Sequence, residues 1–236
     1  MVAGRNPVED LIRSGDTIEK IMIQTNLGGS YAKVIEDLVR EKGIPVQYVP
    51  RIKLDHMCDI AHQGVIALRS LIPYQNYEDI VNFVYSEGRN PLFLFLDRVT
   101  DVRNFGAIAR TAYGMGVDAI LIPLKDAASI NTDAIKTSAG ALMNIPICRL
   151  GRPDNELENL KQMGFHINAI DISGDKFITE MDKEVPMVIV MGAEDKGVRN
   201  EIIRIANGIF KIPIHSDLDS YNVSVATALV LYEVKR

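Results

Sequence analysis

At 236 residues, 47% of them hydrophobic and 24% charged, the chain has ample material for a core and is not a disordered sequence; it is long enough for one large domain or a small one plus a medium one. A net charge of −5 argues against a protein that coats nucleic acid nonspecifically, because such binding rests on many Lys and Arg contacts to phosphate. No apolar run reaches the ~18 residues of a membrane span, nothing reads as a signal peptide, and Cys58 and Cys148 form neither a CxxC pair nor a disulfide framework, so a cytoplasmic protein without a zinc site is expected, with both cysteines buried.

Charge is spread unevenly. Residues 1–70 carry nine basic and nine acidic side chains, 91–150 six and five, and 151–236 ten and fourteen. In the first 70 residues, Asn6-Pro7 followed by Val8, Leu11 and Ile12 predicts a helix start, and Ile18 to Gln24 a strand. Tyr31 to Lys42 predicts a helix with Val34, Ile35, Leu38 and Val39 on one face, and 44–49 and 64–68 predict short strands. Residues 71–90, with Pro73 and Gly88 and bounded by Pro91, read as a linker carrying one amphipathic helix. Beyond Pro91, apolar runs at 92–96, 119–122, 187–191 and 209–214 predict strands buried on both faces. Helical patterns at 104–115, 131–141, 154–163, 198–206 and 222–235 alternate with or follow them. The result is a doubly wound parallel α/β domain whose ligand binds beyond the C-terminal strand ends.

Familiar nucleotide and zinc signatures are missing. The sequence holds no GxxxxGK[ST] and no HExxH, and its one Gly-x-Gly, Gly114-Met115-Gly116, ends a predicted helix instead of opening one. That argues against a nucleotide-dependent oxidoreductase.

Three other segments each follow a predicted strand. In the first, from Leu96 to Ala112, Asn104 stands near a helix start, where asparagine commonly caps, and Arg103 and Arg110 are spaced to share a helix face. In the second, Val188 to Val198, a strand runs into a turn with Gly192 and Gly197, where backbone can approach a ligand; Glu194 also suits the start of the next helix. The third is Ile212-Pro213-Ile214, then Ser220-Tyr221-Asn222-Val223-Ser224-Val225-Ala226-Thr227-Ala228, with Ser220 reading as a cap. Taken singly, these are a capped helix with solvated arginines, a helix-start carboxylate and a packing helix.

Taken together, in this order and spacing, they resemble the three motifs of the SPOUT superfamily, in its SpoU/TrmH branch of RNA ribose 2′-O-methyltransferases. The resemblance covers essentially all of 91–236, including Lys136-Thr137-Ser138-Ala139-Gly140-Ala141 and Ile145-Pro146. Gly4-Arg5-Asn6-Pro7-Val8 and His62-Gln63-Gly64-Val65 are similar to the small RNA-binding domain in front of RlmB-type enzymes, which methylate a guanosine of 23S ribosomal RNA.

The resemblance implies an RNA-binding domain over 1–70, a linker over 71–90 and a methyltransferase domain over 91–236. It also implies a trefoil knot, which ordinary connection rules would not suggest, and a homodimer in which one subunit's first motif helps complete the other's site. Helices rich in small residues, 104–112 or 222–230, would support that packing. S-adenosylmethionine is expected at Gly192, Ile212 and Tyr221, with Ile122 and Val223 nearby. Asn104, Arg110, Glu194, Asn222 and Ser224 are the catalytic candidates, and Arg5, Asn6, Gln63 and Arg103 the RNA contacts. Arg110 matches the residue often called the general base. Arginine is effectively never deprotonated in proteins, so its expected role is to hold the target phosphate and stabilise the emerging alkoxide. Tyr221 departs from an expected leucine and Val102 from a common proline. The alternatives are a tRNA methyltransferase and an inactive ribosome-associated RNA-binding protein.

Overall fold

In the computed structural model, which describes residues 1–215 and 220–236, a two-residue strand not foreseen in the sequence, β1 (Val2–Ala3), comes first. Gly4 turns the chain at φ 103°, a region open to glycine, and α1 (Arg5–Arg13) starts one residue ahead of the Asn6-Pro7 pair. Val8, Leu11 and Ile12 face inward, as their spacing predicts. β2 (Ile18–Gln24) has the expected bounds. α2 (Ser30–Glu41) buries Ile35 and Val39 but leaves Val34 exposed, since Val34 stands about 100° around the helix from Ile35. β3 (Val46–Val49), a short α3 (Arg51–Asp55) and β4 (Val65–Arg69) complete the unit. The sheet order is β1-β4-β2-β3, with β2 and β3 parallel and β4 antiparallel to both its neighbours. The ends of β1, β2 and β3 and the start of β4 therefore open on one edge.

The chain divides between Pro73 and Tyr74, which corrects the linker expected over 71–90. The helix in that stretch, α4 (Tyr77–Ser86), sends Tyr77, Ile80, Val81 and Val84 into the core of the second unit, with Phe93, Phe95, Leu160 and Phe165. Its apolar face joins a core, and nothing in its local sequence says which one.

The second unit continues with β5 (Leu92–Asp97), α5 (Val102–Gly114), β6 (Ala119–Pro123), α6 (Thr132–Thr137), β7 (Ile147–Leu150) and α7 (Pro153–Gln162). It closes with β8 (His166–Ile170), β9 (Lys176–Phe177), β10 (Met187–Gly192), α8 (Asn200–Ile205), β11 (Gly208–Lys211) and α9 (Val223–Lys235). These strands form one parallel sheet of order β7-β6-β5-β10-β8-β11-β9. β7, β8 and β9 were not among the expected strands. β7 carries Arg149, whose guanidinium lies 3.6 Å from the Tyr74 ring centre, and β8 carries the buried polar Asn168. The helix expected over 131–141 stops at Thr137, and Gly140 at φ 83° turns the chain beyond it.

Two features position the site. From β5 the chain moves outward to β6 and β7 on one side, while β10 and β8 flank its other side, so a crevice opens beyond the ends of β5 and β10. Gly192 pairs in register with Asp97, so both loops leave from one place. The small residues of α5 are used within the chain: a Cβ on Gly106 would lie 2.8 Å from the Ala134 carbonyl oxygen of α6. Cys148 is buried, which pushes its thiol up to about 12, while Cys58 is only half-buried. Among the described residues no helix is long and apolar enough to cross a membrane.

Candidate active site

Gly192, the last residue of β10, is dictated by packing. A Cβ there would sit 2.1 Å from the Gly197 carbonyl carbon, because residues 193–197 fold straight back over the strand end. Gly197 takes φ 60° and donates its N–H to the Ala193 carbonyl at 2.8 Å. The turn is clamped from outside. Arg98 donates Nη2–H to the Gly197 carbonyl at 3.2 Å, and Asp171 accepts the Val198 N–H at 3.4 Å. Beneath it lies Asp97, wholly buried, which accepts the Arg199 backbone N–H at 2.8 Å and its Nε–H at 2.7 Å. A buried carboxylate is tolerable only when paired and hydrogen-bonded in this way.

The clamped turn presents Glu194 to two helix starts. Asp101, not Asn104, caps α5, accepting the Asn104 backbone N–H at 2.7 Å. This leaves the Asn104 side chain free to donate Nδ2–H to Glu194 Oε1 at 3.2 Å. Likewise Asn222, not Ser220, caps α9: its Oδ1 accepts the Ser224 N–H at 3.0 Å and the Ser224 hydroxyl at 2.6 Å. The Asn222 amide then donates to Asn104 Oδ1 at 3.1 Å and to Glu194 Oε1. The Val223 backbone N–H adds a third donor to Glu194 Oε1 at 2.9 Å. Glu194 therefore bridges α5 and α9, favoured by the positive end of the α9 dipole. It does not serve α8, the next helix in the chain. No hydrogen bond among the described residues reaches its Oε2.

Asn104, Glu194, Asn222 and Ser224 thus form one polar junction. Arg110 is not in it. It lies six residues beyond Asn104, about 120° around α5, exposed and without a hydrogen bond or ion pair among the described residues. Arg103 is exposed on the same face as Arg110.

Beside the junction is a cavity of about 360 Å³. Four of the five residues expected around the cofactor line it, namely Gly192, Ile212, Tyr221 and Val223. Ile122 does not: it is buried in β6, across β5 from β10. Ile170, Met191, Ile214 and Ala226 supply further apolar wall, and Asp171, Glu194 and Asp195 supply carboxylates. Lys196 adds a cation beside them, so the lining suits a ligand that combines an apolar or aromatic body with charged groups of both signs. The hydroxyl of Tyr221, one of the lining residues, donates to the Pro213 carbonyl at 3.3 Å. Asp97, Arg98, Asp171 and Arg199 were not singled out from the sequence. The available signal was a carboxylate ending the otherwise apolar run of β5. Among the described residues no cluster of three or more His, Cys, Asp or Glu is placed to hold a metal.

In the N-terminal unit, Arg5 and Gln63 meet: the Arg5 backbone N–H donates to Gln63 Oε1 at 3.0 Å and its Nε–H to the Gln63 carbonyl at 3.4 Å. Asn6 is exposed in the first turn of α1.

Residues 91–232 match the SpoU rRNA methylase family, and residues 1–75 match the substrate-binding domain of RNA 2′-O ribose methyltransferases. YacO of Bacillus subtilis, assigned to the TrmH family of tRNA/rRNA methyltransferases, is 33% identical over 235 residues, covering 100% of this chain and 94% of its own. The crystal structure of an AdoMet-bound rRNA methyltransferase from Sinorhizobium meliloti shares the fold, with a TM-score of 0.62 at 22% identity over 99% of this chain and 85% of that one. That of the A. aeolicus TrmH/SpoU tRNA modifying enzyme is 33% identical, with a TM-score of 0.57, over 62% of this chain and 75% of that one. The motif junction and the matches at both ends lead to one assignment: the chain belongs to the SpoU/TrmH family of RNA 2′-O-ribose methyltransferases, with the family's substrate-binding domain in front of its methylase domain.

Proposed function

We propose that this chain methylates the ribose 2′-hydroxyl of a guanosine in large-subunit (23S) ribosomal RNA, in the cytoplasm, as a homodimer whose C-terminal unit is a trefoil knot. The observation that carries the reading is the junction of Asn104, Glu194 and Asn222 at the edge of the cavity lined by Gly192, Ile212, Tyr221 and Val223. S-adenosylmethionine, bound there, supplies the methyl group as an electrophile. The AdoMet complex of the S. meliloti methyltransferase supports this choice of cofactor.

A ribose hydroxyl is a poor nucleophile, so the chain must orient it and stabilise the charge that develops on it. In this reading Asn104 and Ser224, held in the junction by Glu194 and Asn222, orient the ribose, and the free Oε2 of Glu194 offers an acceptor to an incoming hydroxyl or guanidinium. Arg110 holds the target phosphate and stabilises the alkoxide, leaving the proton to a phosphate oxygen or water. Its position outside the junction of its own chain supports delivery by a second subunit.

The choice of ribosomal RNA is supported by likeness across the whole chain, N-terminal unit included, to a solved rRNA methyltransferase. The 33% identity to a tRNA-modifying enzyme favours transfer RNA as a second reading, and that likeness spans 62% of the chain. Retention of all four junction residues weighs against an inactive binding protein.

The test is transfer of labelled methyl from S-adenosylmethionine to unmodified 23S rRNA, with unmodified tRNA in parallel and the modified ribose mapped. One modified guanosine in rRNA is expected, with turnover abolished in Arg110→Ala. Arg110→Lys, which keeps the charge but loses the fork, is expected to stay at least about tenfold slow. Incorporation into tRNA alone would overturn the substrate assignment, and incorporation into neither RNA would overturn the function.

A further inference from the structure

The N-terminal unit is close to electroneutral, yet one cavity of about 390 Å³ within it is not. It is lined by Arg5, Gln24, Asn26, Arg51 and Gln63, two guanidiniums and three amides, and among the described residues no carboxylate lines it. The topology explains the convergence. Arg5 follows β1, Gln24 and Asn26 lie at and after the end of β2, Arg51 follows β3, and Gln63 precedes β4, so all five occupy the same edge of the sheet.

The cavity is built, not incidental. The Gly64 N–H donates to His62 Nδ1 at 2.9 Å, so the buried imidazole is an acceptor there and donates from Nε2 to Asp55 at 2.7 Å. This holds the intervening Gln63 at φ 51°, an uncommon conformation for a residue with a Cβ. Gln63 in turn fixes Arg5 through the two bonds described above, and the Arg5 guanidinium lies 5.0 Å from the centre of the Tyr31 ring. Asp55 is 3.8 Å from the Arg51 guanidinium, but the shorter bond from His62 engages it and holds its carboxyl below the usual range. Arg51 and the amides of Gln24 and Asn26 make no hydrogen bond to the described residues. Beyond the ion pair of Arg51 with Asp55, their hydrogen-bonding capacity is left to a ligand.

We propose that this cavity holds one unpaired nucleotide of the RNA substrate, its phosphodiester between Arg5 and Arg51 and its base edge against the amides of Gln24, Asn26 and Gln63. The inference rests on the RNA methyltransferase reading and specifies where the substrate is held. Guanidinium forks match phosphate oxygens, and a carboxamide presents a donor and an acceptor side by side to a base edge. Proteins read RNA sequence chiefly at unpaired nucleotides, whose edges are free. A nearly neutral domain gains little from its overall field, so its affinity must come from a few placed contacts.

The test compares the wild type with Arg51→Ala, Gln63→Gly and, as an off-site loss of one positive charge, Lys33→Ala, whose side chain is exposed on α2. Glycine at position 63 keeps the positive φ while removing the amide. Binding of unmodified 23S rRNA and tRNA is measured by filter retention across a salt series, with kcat, KM for RNA, cofactor affinity and thermal melting alongside.

Arg51→Ala and Gln63→Gly are expected to weaken RNA binding about tenfold and raise KM to match. Both should leave kcat and cofactor affinity unchanged, and Arg51→Ala should leave melting unchanged as well. Arg51→Ala should also lower the salt slope by about one, and Lys33→Ala should stay within about twofold of wild type. Variants that methylate and bind RNA as Lys33→Ala does would overturn this inference alone. A wild type that binds S-adenosylmethionine but neither retains nor methylates any RNA would overturn the enzymatic reading together with it.

Discussion

The Tyr221 hydroxyl donates to the Pro213 carbonyl at 3.3 Å, joining the two sides of the third motif beside the cavity proposed for the cofactor. Family resemblance leads one to expect leucine there, which would fill the wall but make no such bond. If the bond helps hold the cavity closed, Tyr221→Phe removes it and little else. The expected result is three- to tenfold weaker binding of S-adenosylmethionine by titration calorimetry, roughly the net worth of one hydrogen bond. Equal affinity would assign the role to the ring alone.

The neighbouring residues show what a sequence reveals at this scale. Asn104, Glu194, Asn222 and Ser224 were recognisable because their types recur at motif spacing. Their bonding was not, because it depends on which side chain takes each cap. Asp101 and Asn222 cap the helices, and this frees Asn104 and the Asn222 amide for Glu194. Ile122 was expected beside the cavity only through the family resemblance, and the order of the sheet puts it across β5 from β10.

At the scale of elements, strands buried on both faces were readable as short apolar runs, β5, β6 and β10 clearly so. β8 escaped because Asn168 interrupts its run, and α4 passed for a linker helix because burial of its apolar face is decided by distant residues. The C-terminal helix offers a direct test of how an element is fixed. Glu233 of α9 accepts a hydrogen bond from Lys183 Nζ at 2.7 Å, and this bond, with help from Arg236, holds its carboxyl below the ordinary value of 4.5.

A group whose folded pKa is lowered stabilises fully above its unfolded value and loses that contribution as pH falls through the folded one. Glu233→Gln should therefore lower the melting temperature at about pH 7. Its deficit against wild type should shrink steadily once the pH drops below the ordinary carboxylate value. A deficit that stays constant into acid would mean that the glutamate acts through packing and not through its charge.

At the scale of the whole molecule, the proposed dimer must explain two features that one chain leaves unresolved. Arg110 stands outside the junction it is expected to serve, and α9 exposes Val225 at 48%, Leu229 at 39% and Tyr232 at 59%. These three are spaced i, i+4, i+7, so they form a stripe along one helix face and not a scatter of surface apolar residues. A second copy meeting this stripe about a two-fold axis would cover both faces at once, since the same patch serves each subunit. α5, which carries Arg110, packs directly on α9. The two sites then depend on dimerisation differently. In this reading the residues expected around S-adenosylmethionine, Gly192, Ile212, Tyr221 and Val223, already meet at one cavity within a single chain, whereas catalysis would need a guanidinium from the other. Leu229→Glu, which sets two carboxylates against each other across the axis, should give a monomer by light scattering. That monomer should bind S-adenosylmethionine as wild type does, melt cooperatively, and methylate RNA at least about tenfold more slowly. A fully active monomer, whether mutant or wild type, would return Arg110 to its own chain and leave the α9 stripe without a catalytic purpose.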